Sequence, residues 1–427
     1  MMVVRVLYVV FLVSISPVLF AQPYTSYLTG DAADVTATTE AGVVLMGGAT
    51  ESDAAMQWFL QRSGGGDVVV IRSSGSDGYN SYLYAELGVT LNSVETLIIA
   101  SDEAANDPYV EQQIRHAEAL WIAGGDQWNY INYWKDSPIE SALQYLISEK
   151  GVTIGGTSAG MAVLGQAYFS AENGTITSGN ALANPFNTNV TIGYDDFLHV
   201  PFLENVITDT HYDSPDRRGR HMAFMARIWA SYDEVPRGIA SEEYTAVCIS
   251  PDGIGRVFGD YPAEEDYAWF LRASCVEPWE PETCFPGQAL HWQRQGEAVL
   301  ACKVPGTPTG EFTFDLNDWG STSGGDWQYW SVNAGILSAV PAESFADCLG
   351  VGVVEQSSRS LVIRVFPNPG AADLVHFSRP VSGELKDLCG KTMCNVRNAD
   401  KCDVSLIQPG IYLWMLDGQS IRWIKGD

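Results

Sequence analysis

Cysteine is absent before position 248; all eight cysteines of the 427-residue chain lie at or beyond it. They form neither a CxxC pair nor a Cys/His cluster at zinc-ligand spacing, which excludes a zinc site built on thiolates. Basic residues are scarce, with 24 Lys and Arg against 52 Asp and Glu, for a formal charge of -28. A field of that sign repels phosphate backbones and anionic membranes, so nucleic-acid binding is excluded as a function class. Beyond residue 21 no apolar run approaches the roughly 20 residues that a membrane span needs. No internal repeat is present, which sets aside solenoids and propellers. What the chain does have is apolar material: 46% of residues are hydrophobic and 18% charged, the composition of a folded protein of two or three compact domains.

Residues 1–21 carry one positive charge, Arg5, then an apolar run from Val6 to Val13 and on to Phe20, and close with Ala21 before Gln22. That order of charge, apolar core and small residue reads as a signal peptide. Ser14, Ser16 and Pro17 break the run, which favours cleavage over anchoring. The mature protein is therefore expected outside the cytoplasm, where disulfides persist. Cys275 and Cys284 flank a Pro-rich loop, residues 277–281, and are candidates to close it as a disulfide.

Charge marks the last domain boundary. Residues 355–427 carry a net charge of +1, whereas residues 22–354 carry -30. The tail has short alternating or apolar runs punctuated by Pro-Asn-Pro, Ser-Gly and Pro-Gly, the pattern of a small β-sandwich. Upstream, Val43 to Met46, Val68 to Ile71, Leu97 to Ala100, Leu120 to Ala123 and Val152 to Ile154 are short apolar runs of the kind buried in a parallel sheet. The segments between them, Glu51 to Gln61, Pro108 to Ala117 and Ile139 to Glu149 among them, have helical patterning. The reading is an α/β fold with a doubly wound, mostly parallel sheet. Residues 261–354, rich in Trp, Gly and Pro, are expected to form a β-rich extension. The organisation is thus 1–21 signal peptide, 22–260 α/β domain, 261–354 extension and 355–427 tail.

The densest chemistry lies in Gly151 to Ala162, Gly-Val-Thr-Ile-Gly-Gly-Thr-Ser-Ala-Gly-Met-Ala. A strand runs into Gly156-Thr157-Ser158-Ala159-Gly160 and then into a helix-compatible run, the context of a nucleophile elbow. Small neighbours give Ser158 room on a sharp turn, and the following helix N-terminus favours a developing oxyanion. A serine hydroxyl needs a base. Of six histidines, His211 ends an apolar run from Val206, where a C-terminal strand end gathers ligands, and His199 is its rival. An orienting carboxylate is required as well, and by chain position Glu172, Asp195, Asp196 and Asp209 are all candidates. Arg217, Arg218 and Arg220 crowd a chain poor in Arg and read equally as a carboxylate-binding site or as a solvated helix face. The Gly124-Gly125 bend after the strand at Leu120 is placed to add a backbone N–H to that of Ala159 in an oxyanion hole.

These motifs, Gly155 to Gly160, Ala123 to Gln127, and Asp209-Thr210-His211-Tyr212 followed by Arg217, Gly219 and Arg220, together resemble the cyanophycinase and dipeptidase E family of serine peptidases. Glu243-Tyr244-Thr245-Ala246 resembles a further segment of that family, and the resemblance covers roughly residues 40–260. It implies a flavodoxin-like layer related to class I glutamine amidotransferases, with Ser158 as nucleophile, His211 as base and Glu172 as the acid. Gly125 and Ala159 would supply the oxyanion hole, and Gln127, Asp209, Arg217 and Arg220 the substrate contacts. It implies no metal or organic cofactor, a peptide substrate of aspartyl or β-aspartyl type, and a fold that can form homodimers. Pro215 and Thr210 stand where cyanophycinases carry an Arg and a Gln. The tail, through Val365-Phe366-Pro367-Asn368-Pro369, Leu385 to Lys391 and Leu406 to Leu413, is similar to the C-terminal sorting domain of type IX secretion. That similarity implies the secretion machinery as a partner and a secreted or surface-attached product, exported through the periplasm.

The expected function is a secreted serine exopeptidase acting through an acyl-enzyme. Two other readings compete with it. One is a peptide- or glycan-binding surface protein on a peptidase scaffold, suggested by Trp269, Trp279, Trp292, Trp319, Trp327 and Trp330. The other is a metal-dependent hydrolase using Asp209, His211 and Asp213.

Overall fold

A computed structural model describes residues 22–344, 365–366, 374–387, 390–408, 410–416 and 419–425. The expected signal peptide and parts of the tail lie outside the described residues. Up to residue 344 the strands are β1 (Thr25–Gly30), β2 (Gly42–Met46), β3 (Asp67–Arg72), β4 (Ser93–Ile98), β5 (Ala119–Ile122), β6 (Thr153–Thr157), β7 (Ala167–Phe169), β8 (Ile192–Tyr194), β9 (Val206–Asp209), β10 (Arg237–Ser241), β11 (Ala246–Ile249), β12 (Ile254–Phe258), β13 (Tyr267–Ala273), β14 (Val299–Pro305), β15 (Thr313–Asp315), β16 (Thr322–Ser323), β17 (Asp326–Asn333) and β18 (Ile336–Pro341).

They form two sheets. The first runs β1-β4-β3-β5-β6-β2-β11-β12-β15-β16. Within it β4, β3, β5, β6 and β2 are parallel neighbours. Their apolar runs are continuous because both faces are covered. Val69, Ile71, Leu120, Ile122 and Ile154 face a core shared with the helices Pro108–His116, Gln127–Trp134 and Pro138–Tyr145. Val44, Met46, Val68, Val70 and Trp121 face the helix Asp53–Gln61 through Met56, Phe59 and Leu60. The chain is therefore mixed α/β, with a parallel segment covered on both sides. A flavodoxin-like order, 2-1-3-4-5, puts the last strand at the outer position. Here β2, which precedes the other four in sequence, ends the parallel segment beside β6, with antiparallel β11 on its other side.

Two strands escape the apolar pattern. β1 is polar and pairs antiparallel with β4 at the sheet edge. β4 starts at Ser93, earlier than the run from Leu97 suggests, and carries buried Glu95 and Thr96. Their polar atoms are matched: Thr96 Oγ1 donates to Asn80 Oδ1 at 2.6 Å, and Ser26 on β1 donates to Glu95. A buried polar group is tolerated when it is hydrogen-bonded.

The second sheet runs β18-β17-β14-β13-β10-β9-β7-β8. Its strands β7, β9 and β10 are parallel, and the rest of the path is antiparallel. The Trp-rich stretch after residue 260 does not form its own layer: β13, β14, β17 and β18 extend this sheet, while β15 and β16 extend the first. The boundary expected at 260 separates no cores, since Phe270 and Val304 share one with Val69 and Ile154. Phe270 of the second sheet stacks on Phe314 of the first at 4.0 Å between ring centroids. Trp292, Trp319 and Trp330 are fully buried, so they act as core packing and not as an exposed sugar-binding face.

Cys284 is a free, buried thiol whose Sγ lies 3.5 Å from the Ala226 carbonyl. Cys275 is disulfide-bonded elsewhere, so the loop-closing pair expected between the two is not formed. In the tail β19 (Val365–Phe366), β20 (Leu374–Asp387), β21 (Thr392–Asp403), β22 (Gly410–Leu416) and β23 (Gln419–Lys425) form one antiparallel sheet. Val375, Leu385, Trp414 and Leu416 form its small core.

Candidate active site

The site lies where the C-terminal ends of the two sheets meet. β6 ends at Thr157, and Ser158 follows with φ 51° and ψ -114°, outside the regions a residue with a Cβ ordinarily occupies. The strain is held by close packing: a Cβ on Gly156 would lie 2.5 Å from the Gly160 carbonyl carbon, so the elbow closes only without one. The helix Ala159–Ala162 then starts directly beneath the serine. Thr208 on β9 donates to the Met161 carbonyl at 2.9 Å and ties this helix to the second sheet.

β9 ends at Asp209, and His211, two residues on, has φ 46°. Ser158 Oγ and His211 Nε2 are 2.9 Å apart, and His211 Nδ1 lies 2.7 Å from Glu243 Oε1. The imidazole thus joins a serine on one side to a carboxylate on the other. Glu243 sits on the crossover by which the chain leaves β10 in the second sheet and enters β11 in the first. Its own N–H donates to Asp213 Oδ1 at 3.1 Å.

The carboxylate on the imidazole is therefore Glu243, where Glu172 was expected. Glu172 is exposed and lines a separate cavity with Trp128, Tyr168 and Arg227. The strand-to-turn path after β7 carries it away from His211. Asp195 and Asp196 are also elsewhere, facing His199 at 3.6 Å and the Tyr168 hydroxyl at 2.8 Å respectively. Nothing in the local sequence marks Glu243 as the acid; its one signal is that Glu243-Tyr244-Thr245-Ala246 resembles a segment of the family. The metal reading loses its ligands: both His211 nitrogens are engaged as above, and Asp209 is held by Arg220.

A cavity of about 440 Å³ opens over Ser158 and His211, lined also by Gly125, Gln127, Ala159, Asp209, Arg217 and Arg220. The residues that the family resemblance assigns to the oxyanion hole, Gly125 and Ala159, and to substrate contact, Gln127, Asp209, Arg217 and Arg220, thus line one space, whereas Glu172, Asp195, Asp196, His199 and Arg218 do not. The Gly124-Gly125 bend is supported by Tyr130, whose hydroxyl donates to the Ala123 carbonyl at 2.9 Å. Gln127 follows the N-cap Asp126, which accepts from the Trp128 N–H at 3.0 Å.

Asp209 and Arg220 form a buried, two-pronged ion pair in which Arg220 Nε donates to Asp209 Oδ2 at 2.9 Å and Arg220 Nη2 to Oδ1. Burial raises the Asp209 pKa, but the charge and hydrogen bonds of Arg220, with smaller help from His221 and Arg217, outweigh it and hold the carboxyl below its ordinary range. Arg220 also donates to Thr175 Oγ1 at 3.3 Å. Arg217 differs: its Nη1 donates to the Thr210 carbonyl at 3.0 Å, and no carboxylate among the described residues pairs with it within salt-bridge distance. Burial and the neighbouring Arg220 lower its pKa, opposed by Asp209, Glu243 and Asp213. Arg218 bonds Asp216 and lies outside the cavity, as a solvated helix-face residue would.

Residues 72–255 match the model of Peptidase family S51. Ser158, His211 and Glu243 all fall within the matched stretch. Curated relatives agree: the chain is 26% identical over 228 residues to a cyanophycinase from Synechococcus elongatus, covering 51% of this chain and 65% of that protein. It is 24% identical over 231 residues to the cyanophycinase of Nostoc sp. strain PCC 7120, covering 52% of this chain and 72% of the relative. The alignment thus spans less than two thirds of the Synechococcus protein. Among solved structures, a peptidase from an acI-B1 Actinobacterium is similar at a TM-score of 0.39 and 16% identity, over 52% of this chain and 89% of that one.

Proposed function

We propose that this chain is a serine peptidase that hydrolyses aspartyl or β-aspartyl-type peptide bonds through Ser158, His211 and Glu243. The observation that carries this reading is the unbroken path from Ser158 Oγ through both imidazole nitrogens of His211 to the Glu243 carboxylate. His211 takes the serine proton as Oγ attacks the scissile carbonyl, and Glu243 holds the ring in the tautomer that leaves Nε2 free to accept. The tetrahedral oxyanion is received by the backbone N–H groups of Gly125 and Ala159. His211 then passes its proton to the leaving amine, the acyl-enzyme forms on Ser158, and a water activated by the same imidazole hydrolyses it.

Arg217 is the cavity's open cationic donor and takes a carboxylate of the substrate, while Gln127 bounds the space beside it. Asp209 is taken up by Arg220, which leaves the Arg217 guanidinium without a carboxylate partner among the described residues and available to an acidic substrate group. Export by residues 1–21 and delivery to the cell surface by a type IX tail belong to the same proposal. The test is cleavage of a mixed α- and β-aspartyl peptide library, with cyanophycin alongside, by wild type and Ser158→Ala, read by mass spectrometry. Products from wild type alone support the reading; products from both, or from neither, overturn it.

A further inference from the structure

Three backbone contacts converge on one turn. After β2, the carbonyls of Met46, Gly47 and Gly48 accept in succession: Ser158 N–H donates to Met46 O at 3.1 Å, His211 N–H to Gly47 O at 2.9 Å, and Tyr244 N–H, next to Glu243, to Gly48 O at 3.1 Å. Nucleophile, base and the residue following the acid come from three distant stretches of chain, yet each is fixed to consecutive carbonyls of the same turn. The N–H of Gly47 adds a fourth tie, donating to Thr245 O at 2.9 Å. The imidazole lies against this turn: a Cβ on Gly48 would stand 2.5 Å from His211 Nε2 and 3.0 Å from Nδ1. Gly48 has φ 121°, in the region that favours glycine.

We infer that the Met46–Gly48 turn is the common seat of the Ser-His-Glu array and that Gly48 is the positioning residue of the base. This rests on the peptidase reading, yet it concerns residues outside the stretch matched by the family model. Three side chains delivered by two sheets need a shared reference if their distances are to hold within a fraction of an ångström, and a misplacement of about 1 Å costs on the order of 100-fold in rate. A rail of three carbonyls supplies that reference. The missing Cβ at position 48 lets the imidazole lie flat against it, with Nε2 toward Ser158 and Nδ1 toward Glu243.

The experiment combines kinetics with a thermal-stability cycle on the full chain: wild type, Gly48→Ala, His211→Ala and the double variant. On an aspartyl peptide that wild type cleaves, Gly48→Ala is expected to lower kcat by about 100-fold while KM stays within about twofold, because the cavity walls are untouched. Backbone strain from alanine at a positive φ is present in both backgrounds, but the clash with the ring exists only when His211 is there. Gly48→Ala should therefore lower Tm less in the His211→Ala background than in wild type, and if it fails to fold alone it should fold there. Wild-type kcat in Gly48→Ala, an equal loss of Tm in both backgrounds, or failure to fold in both overturns the inference. Should wild type cleave no peptide, the peptidase reading fails, and the stability cycle still decides whether Gly48 seats the ring.

Discussion

Ser158 and Glu243 serve one imidazole from opposite sides, but the chain brings them there in unlike ways. Ser158 stands on a strained elbow whose strand, glycines and helix are contiguous in sequence, because the strain has to be held by its immediate neighbours. Glu243 lies on a crossover between sheets and needs nothing from its neighbours except a path that ends beside His211 Nδ1. A nucleophile made by local backbone geometry leaves a local signature. A carboxylate that has only to arrive leaves none.

Each prediction puts pressure on that contrast, beginning with the largest effect. Ser158→Ala should lower kcat/KM by at least about 10³-fold, with the circular-dichroism spectrum and Tm of wild type. The two carboxylates come next: Glu243→Gln should reduce kcat by about 10²- to 10⁴-fold, as expected when a triad base loses its orienting charge, while Glu172→Gln stays within about twofold. Steady-state kinetics on the same peptide would expose a reversal of the two.

Arg220→Met leaves Asp209 as a buried, unpaired charge and should cost about 3–5 kcal/mol of stability in chemical denaturation, and Arg220→Met with Asp209→Leu should cost clearly less. A smaller, pH-dependent effect belongs to Glu242, the neighbour of Glu243. Burial raises its carboxyl to about 7, against the hydrogen bonds from Trp269 Nε1 and the Tyr267 N–H. Its native state therefore holds a proton that the unfolded chain has released, and it subtracts stability as pH rises from the ordinary carboxylate range toward 7. The subtraction is up to about 3 kcal/mol. His221 works in the opposite direction: burial lowers it to about 4, so the native state resists protonation and stability falls as pH drops from about 6.5 toward 4. The two slopes oppose each other over most of that window. Glu242→Gln should unmask the histidine, so that Tm rises with pH between about 4 and 6.5 more steeply than in wild type. Smallest of all is the tail, where Cys402→Ser, removing a thiol 2.7 Å from Cys394 Sγ, should leave kcat/KM within about twofold.

The same contrast explains how much was legible in the sequence. β3, Asp-Val-Val-Val-Ile-Arg, reads as a buried parallel strand because both faces are apolar. β4 conceals itself because Glu95 and Thr96 are polar and buried, their partners lying on β1 and at Asn80. The Trp-rich stretch was visible as β structure, but its part in extending two sheets was not, since pairing partners such as β10 and β13 carry no mark of each other. At the site, Ser158 and His211 were readable from motifs at strand ends, and Gln127, Asp209, Arg217 and Arg220 from the family resemblance. Glu243 and the Met46–Gly48 turn were not, because their roles consist of contacts between distant segments.

The central claim is that Ser158 is a nucleophile activated by His211 and Glu243, and the most direct measurement is covalent labelling by a serine-directed fluorophosphonate, mapped by peptide mass spectrometry. Wild type should carry one label, on Ser158, with no label in His211→Ala and markedly slower labelling in Glu243→Gln than in Glu172→Gln. An unlabelled wild type, a label on another serine, or labelling indifferent to His211 would contradict it.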